Sequence, residues 1–119
     1  MCIRDRPQAR RRIDRVINYL NERFSGEVTQ SDVARRIGMS PAAFSRFFRR
    51  TTGTTFVDYL NELRVSRACN LLIDTEESVL EVSLRSGFNN LSNFNRKFRR
   101  YKAMTPKEYR RYHSGIRDV

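Results

Sequence analysis

Gly38-Met39-Ser40-Pro41-Ala42-Ala43-Phe44-Ser45-Arg46-Phe47-Phe48-Arg49-Arg50 is echoed later in the chain by Gly87-Phe88-Asn89-Asn90-Leu91-Ser92-Asn93-Phe94-Asn95-Arg96-Lys97-Phe98-Arg99-Arg100. From Phe44 and Phe94 onward the offset is 50 residues, and it persists through Thr55-Phe56-Val57-Asp58-Tyr59 and Thr105-Pro106-Lys107-Glu108-Tyr109. Each copy opens on a glycine, which supplies the left-handed residue of a tight inter-helix turn. A capping residue follows, Ser40 in one copy and Asn90 in the other, and Pro41 suits the first helical position after Ser40. Next comes a helix with phenylalanines four apart on one side and arginines on the other.

The flanking sequence reads as helix throughout. Ile13, Val16, Ile17, Leu20 and Phe24 fall at helical spacing and predict a first helix over 9–24, ended by Ser25-Gly26. Thr29 with Asp32 forms a capping-box-like pair before Val33, Ala34 and Ile37. Thr55 with Asp58 starts a long helix, whose apolar side is Phe56, Tyr59, Leu60, Leu63, Ala68, Leu71 and Leu72, running to about Ile73. Ser78 with Glu81 caps a fifth helix carrying Val79 and Val82. The sixth helix turns Phe94, Phe98 and Tyr101 inward, and Thr105-Pro106-Lys107-Glu108 starts a seventh that runs to about Tyr112. No segment alternates like a strand. The expectation is an all-α chain of seven helices, in two helix-turn-helix lobes joined by a long central helix. Lobe one covers 9–54, the linker helix 55–73 and lobe two 74–113. Residues 1–8 read as a disordered or non-native extension and 114–119 as a tail.

Among 119 residues, 24 Lys and Arg stand against 13 Asp and Glu, for a net charge of +11. Such an excess points to a polyanionic partner, of which nucleic acid is the commonest. Its distribution sharpens the inference. Asp58, Glu62, Asp74, Glu76, Glu77 and Glu81 make the middle of the chain acidic, whereas positive charge gathers around 46–50 and 96–102, at matching places in the two repeats. No apolar run approaches the ~18 residues of a membrane span, and the arginine-rich start lacks the apolar stretch of a signal peptide. Cys2 and Cys69 lie far apart without metal-type partners, as in a reducing compartment. His113 has no carboxylate or cysteine motif around it, and no phosphate loop or nucleophile elbow occurs. The sequence therefore reads as a binding domain, not an enzyme, with no cofactor and no metal. Most of its aromatics sit at core spacing, unlike the exposed stacking rings of RNA binders.

The polar sides of the third helix (about 41–51) and the sixth (about 91–102) are the candidate contact surfaces. Ala42, Ala43 and Ser45 are small enough to let the backbone approach base edges, although alanine is also the default helix former. Arg46 has the fork geometry to bond guanine O6 and N7. In the second copy Ser92, Asn93 and Arg96 take these places. Asn93 suits adenine N6 and N7, or serves merely as a second cap-region side chain. Arg49 and Arg50, with Lys97, Arg99 and Arg100, sit where backbone phosphates are the expected partners. Ser40 and Asn90 mark helix starts whose amides are also suited to meet a phosphate.

At ~1.5 Å per residue, the helix over 56–73 spans about 27 Å. With the breadth of the lobes added, two reading helices are expected about one DNA turn, roughly 34 Å, apart. Because the two tips differ, the expected site is asymmetric duplex DNA covering two major-groove segments.

Met39-Ser40-Pro41 with Phe44 and Arg46, Arg64-Val65-Ser66-Arg67-Ala68 with Leu71-Leu72, Gly87-Phe88 with Phe94, Phe98 and Arg99, and Thr105-Pro106-Lys107-Glu108-Tyr109-Arg110 together resemble the DNA-binding domain of the AraC/XylS family of bacterial transcription regulators, over residues 9–113. The resemblance implies a seven-helix, two-lobed domain whose third and sixth helices enter adjacent major grooves. It also implies contact with RNA polymerase, activation of transcription, and a place in the bacterial cytoplasm on the nucleoid. Ser83 stands where the family has a small apolar residue such as alanine, and Ala103 where glycine is common. Most members carry a ligand-sensing or dimerisation domain ahead of this one. The opening Met-Cys-Ile-Arg-Asp-Arg joins the first helix awkwardly, so a truncated regulator lacking that domain is expected.

Overall fold

A computed structural model describes residues 7–117 as helix and connecting turn. The helices are α1 (Pro7–Arg23), α2 (Gln30–Arg36), α3 (Pro41–Thr52), α4 (Phe56–Asp74), α5 (Val79–Arg85), α6 (Leu91–Lys102) and α7 (Pro106–Arg117). Among the described residues there is no strand, and the all-α expectation of seven helices is met. No described helix is long and apolar enough to cross a membrane.

Both ends differ from the sequence expectation. The first helix begins at Pro7, so Pro7 and Gln8 are helical and not disordered. Proline fits the first helical position because its missing N–H is an orphan there anyway. Residues 1–6 of the expected extension lie outside the described residues. At the other end α7 continues past Tyr112 to Arg117. Ser114 and Gly115 lower helix propensity without removing a hydrogen bond as proline does. Of the expected tail, residues 118–119 lie outside the described residues.

Chain contacts divide the protein after Leu60 into two compact units. In the first, Ile13, Val16 and Leu20 of α1 are buried together with Val33, Ala34 and Ile37 and with Phe44, Phe47 and Phe48 of α3. Phe44, Phe48 and Phe56 pack edge-on or tilted at centroid distances of 5.6–5.8 Å, and Tyr59 closes the group edge-on to Phe48 at 5.6 Å. Aromatic pairs in such geometry contribute about 0.5–1.5 kcal/mol each beyond area burial. Phe47, at 5% exposure, also belongs to this core.

The second unit repeats the plan with its own residues. Phe94 and Phe98 lie 5.7 Å apart and tilted, and Tyr109 stands edge-on to Phe98 at 5.5 Å, in the place of Tyr59 against Phe48. Val65, Ala68, Cys69, Leu71, Leu72, Val82 and Phe88 complete the core. Leu63, read from sequence as apolar-side, is half-buried, whereas Val65 is fully buried. Cys69 is packed inside and shares a hydrogen bond with Tyr109. Burial raises the thiol pKa, and burial with that bond pushes the Tyr109 phenol up to about 12. The burial of Cys69 among Val65, Ala68 and Leu72 is that of a packing side chain.

Candidate nucleic-acid interface

The interface residues stand on two helix pairs built by the same local rules. In the first, Thr29 caps α2 by accepting the Asp32 amide at 3.1 Å. The reciprocal half of the expected capping box is not made by Asp32, whose Oδ1 instead takes Arg35 Nη2 at 2.6 Å. Aspartate is one methylene shorter than the glutamate that usually reaches back. Glu108 has that extra reach, and accepts the Thr105 amide at 3.0 Å while donating its own amide to the Thr105 hydroxyl at 3.1 Å.

Each turn between paired helices closes alike. Gly38 and Gly87 hold φ of +71° and +100°, in the region that disfavours a Cβ. Their amides reach the carbonyls of Arg35 and Leu84, both at 3.1 Å. The next amides, of Met39 and Phe88, return to Ala34 and Ser83 at 2.9 and 3.0 Å. Ala34 and Ser83 are both completely buried at this crossing. The Ser83 hydroxyl donates to the Leu80 carbonyl at 2.7 Å, which explains how a polar group replaces the expected alanine without being stranded.

α3 and α6 then start from side-chain caps. Ser40 Oγ accepts the Ala43 amide at 3.2 Å and Asn90 Oδ1 accepts the Asn93 amide at 2.7 Å. Gln30, which the sequence reading passed over, donates from Nε2 to the Pro41 carbonyl at 3.2 Å and ties the start of α2 to the start of α3. Its only sequence signal is a polar residue directly after the Thr29 cap.

On α3 the structure exposes Ala42, Ser45, Arg46, Arg49 and Arg50, while Ala43 is half-buried. On α6 it exposes Ser92, Arg96, Arg99 and Arg100, with Asn93 and Lys97 half-buried. Lys97 occupies the register of buried Phe47 and is itself half-buried. The Arg100 guanidinium lies 5.7 Å from the centroid of the Tyr101 ring. Asn93 and Arg96 are brought together, with Arg96 Nη2 donating to Asn93 Oδ1 at 2.9 Å. Ser40 and Asn90 are exposed, but their oxygens are committed to the caps.

Other exposed arginines make contacts within the first unit. Arg36 sits 4.5 Å over the Tyr19 ring, with Arg23 5.6 Å away, and Arg15 donates to the Arg36 carbonyl at 3.4 Å. His113, the one histidine, packs between Tyr109 and Tyr112 at 4.2 and 5.3 Å. Among the described residues, no group of three or more His, Cys, Asp or Glu is placed to hold a metal ion.

A glycine turn between a short capped helix and a longer capped helix with an exposed arginine face defines a helix-turn-helix DNA-binding module, present here in each unit. Comparison with known proteins agrees. The family model described as a helix-turn-helix domain matches residues 33–112. The chain belongs to this family, in its AraC-type form, and carries the DNA-binding domain of a transcription regulator.

Among curated relatives, the HTH-type transcriptional regulator YijO of Escherichia coli (strain K12) is 36% identical over 100 residues, covering 83% of this chain and 35% of that protein. An HTH-type regulator of Staphylococcus aureus (strain MSSA476) is 28% identical over 99 residues, covering 83% of this chain and 13% of its own. The chain thus spans well under half the length of these relatives. Of solved structures, the DNA-binding domain of AdpA, a global transcriptional factor crystallised with a target DNA, is 30% identical with a TM-score of 0.84, over 88% of this chain and 95% of that one. A transcriptional regulator of Chromobacterium violaceum with an AraC-type DNA-binding domain is 25% identical with a TM-score of 0.81, over 91% and 96%. These relatives are regulators, not enzymes.

Proposed function

We propose that this chain binds double-stranded DNA sequence-specifically by placing α3 and α6 in adjacent major-groove segments. The observation that carries the reading is the recurrence, at one register behind a capped turn, of exposed Arg46 and Arg96 on helices whose opposite sides are buried phenylalanine. Arg46 and Arg96 read base edges, with Ala42, Ala43 and Ser45 beside the first and Ser92 and Asn93 beside the second. Arg49, Arg50, Lys97, Arg99 and Arg100 hold phosphates and set the register, and the helix starts at Ser40 and Asn90 abut the backbone. The tips differ in chemistry, Ala42-Ala43 against Ser92-Asn93, so the preferred site is asymmetric. The AdpA domain, of similar fold, was solved on a target DNA, which supports the same class of ligand. As part of a regulator of AraC type, the protein activates transcription through RNA polymerase and works in the bacterial cytoplasm on the nucleoid.

Selection of bound duplexes from a random library, read by sequencing, tests this. The expected result is a non-palindromic motif with two preferred segments about 10 bp apart. Recovery of a palindrome, or of no enriched sequence, refutes it.

A further inference from the structure

A cleft in the second unit runs between α6 and the start of α7, lined by Asn95, Arg96, Arg99, Pro106 and Lys107, with Val79 at its edge. The side chains of Arg96, Arg99 and Lys107 are cationic, and all three residues are exposed. Glu108, the acid next along the chain, has one carboxylate oxygen held by the Thr105 amide and is also attracted by Arg99, so it offsets part of the charge an anion would meet there. We propose that this cleft seats a DNA phosphodiester between Arg99 and Lys107; the inference rests on the DNA-binding reading above and adds Lys107 to it. A helix lying in a major groove is flanked by backbone phosphates, and cations beside such a helix fix its register without reading sequence. Pro106 and Val79 add apolar surface to the lining of the cleft.

The repeat supplies an internal comparison. In the first unit the residue at the place of Lys107 is Val57, which is exposed, while Arg49 matches Arg99. The first unit therefore holds one cation of the pair and the second holds both. The second helix-turn-helix gains an electrostatic contact that its partner lacks, and affinity is more salt-sensitive through that half of the site.

The test is the salt dependence of duplex binding. Lys107→Val is expected to flatten the slope of log K against log salt by about 0.9, one phosphate contact, equally on preferred and scrambled duplexes. Val57→Lys is expected to steepen it by a similar amount. Both positions are exposed, so thermal melts of the variants report folding separately. A slope moved by neither substitution overturns the proposal. Titration of the DNA-free protein with inorganic phosphate separates the sources of the anion. Unsaturable NMR shifts at Arg99 and Lys107 support a phosphodiester held in duplex context, and saturable ones overturn it in favour of a free-anion site. A parent protein that prefers no sequence sinks the proposed function, whereas an unmoved slope in a parent that does discriminate sinks this cleft alone.

Discussion

Arg96 donates from Nη2 to Asn93 Oδ1 at 2.9 Å, one turn back along α6, and the Asn93 amide in turn is bound by the Asn90 cap at 2.7 Å. The guanidinium of the second reading helix is thereby anchored, and the Asn93 oxygen is partly committed before any base arrives. In α3 the matching residue is Ala43, which has no side-chain acceptor to offer Arg46. We propose that Asn93, besides its expected contact with adenine, positions Arg96 through this bond. Replacing Arg96 with Ala is expected to cost about 1–3 kcal/mol on the preferred duplex and relax one base pair. Asn93→Ala should relax the same pair by a smaller amount, and the double variant should fall short of the sum. Arg46→Ala should relax a different pair and add to Arg96→Ala. Binding to a panel of single-base duplex variants checks all four. Loss of preference for a separate adenine in Asn93→Ala would report its own base contact.

Gly53 and Ala103 end α3 and α6 in the same left-handed conformation, at φ of +81° and +60°, and each amide returns to a carbonyl four residues back at 2.9 Å. Only Ala103 among the described non-glycine residues has positive φ. A left-handed L-residue costs about 1–2 kcal/mol, part of which glycine gives back through unfolded-state entropy. Ala103→Gly is therefore expected to stabilise by about 0.5–1 kcal/mol. Gly53→Ala should destabilise by a similar amount, from backbone strain alone, because a Cβ there meets nothing within 4 Å. Thermal melts of the two variants, moving in opposite directions by a few degrees, are the check.

Ser83 sits where Ala34 does in the first unit, completely buried at the helix crossing. Its hydroxyl is already satisfied by the Leu80 carbonyl. Ser83→Ala removes the hydroxyl and leaves that carbonyl its remaining backbone partner, so the change should stay within about 1 kcal/mol. Ser83→Val adds volume where α5 and α6 approach, and should cost about 1–3 kcal/mol. Chemical denaturation distinguishes the pair. A large loss in Ser83→Ala would show the hydroxyl to be needed for more than filling space.

What could be read from sequence follows the range of the interaction. Caps at Thr29, Ser40, Ser78 and Asn90 were legible because each is a side chain bonding an amide three residues on, set by local chain geometry alone. The phenylalanine cores were legible from spacing, and their repetition exposed the two units. Less legible were features decided by partners distant in sequence. Phe47 looks peripheral by angle but is buried, Gln30 finds Pro41 eleven positions away, and Val65 is buried on the one helix that serves both cores in succession. Asp32 carried the right pattern for a box, but Arg35 offered its carboxylate a closer charge. The Asn93–Arg96 bond was within reach of i, i+3 reasoning, yet Asn93 was weighed only as a base contact or a cap-region side chain, and its contact with Arg96 went unread.

Glu108 is the pH-sensitive element of the α7 start. Its carboxyl is held below the usual glutamate value, chiefly by the Thr105 backbone amide, then by the Thr105 hydroxyl, with Arg99 and Arg111 adding attraction. A carboxylate whose folded pKa is depressed contributes stability that is present above the unfolded pKa and disappears as pH falls through the folded one. The cap is thus expected to be intact at neutral pH and to loosen only in acid, below the ordinary titration range of glutamate. The Thr105 amide resonance, followed by NMR against pH, should titrate with a midpoint under that of a free glutamate. Glu108→Gln keeps an acceptor for the Thr105 amide, so this variant should retain α7 and lose the titration. If the Thr105 resonance moves with an unshifted midpoint, or still titrates in Glu108→Gln, the carboxylate is not what closes this helix start.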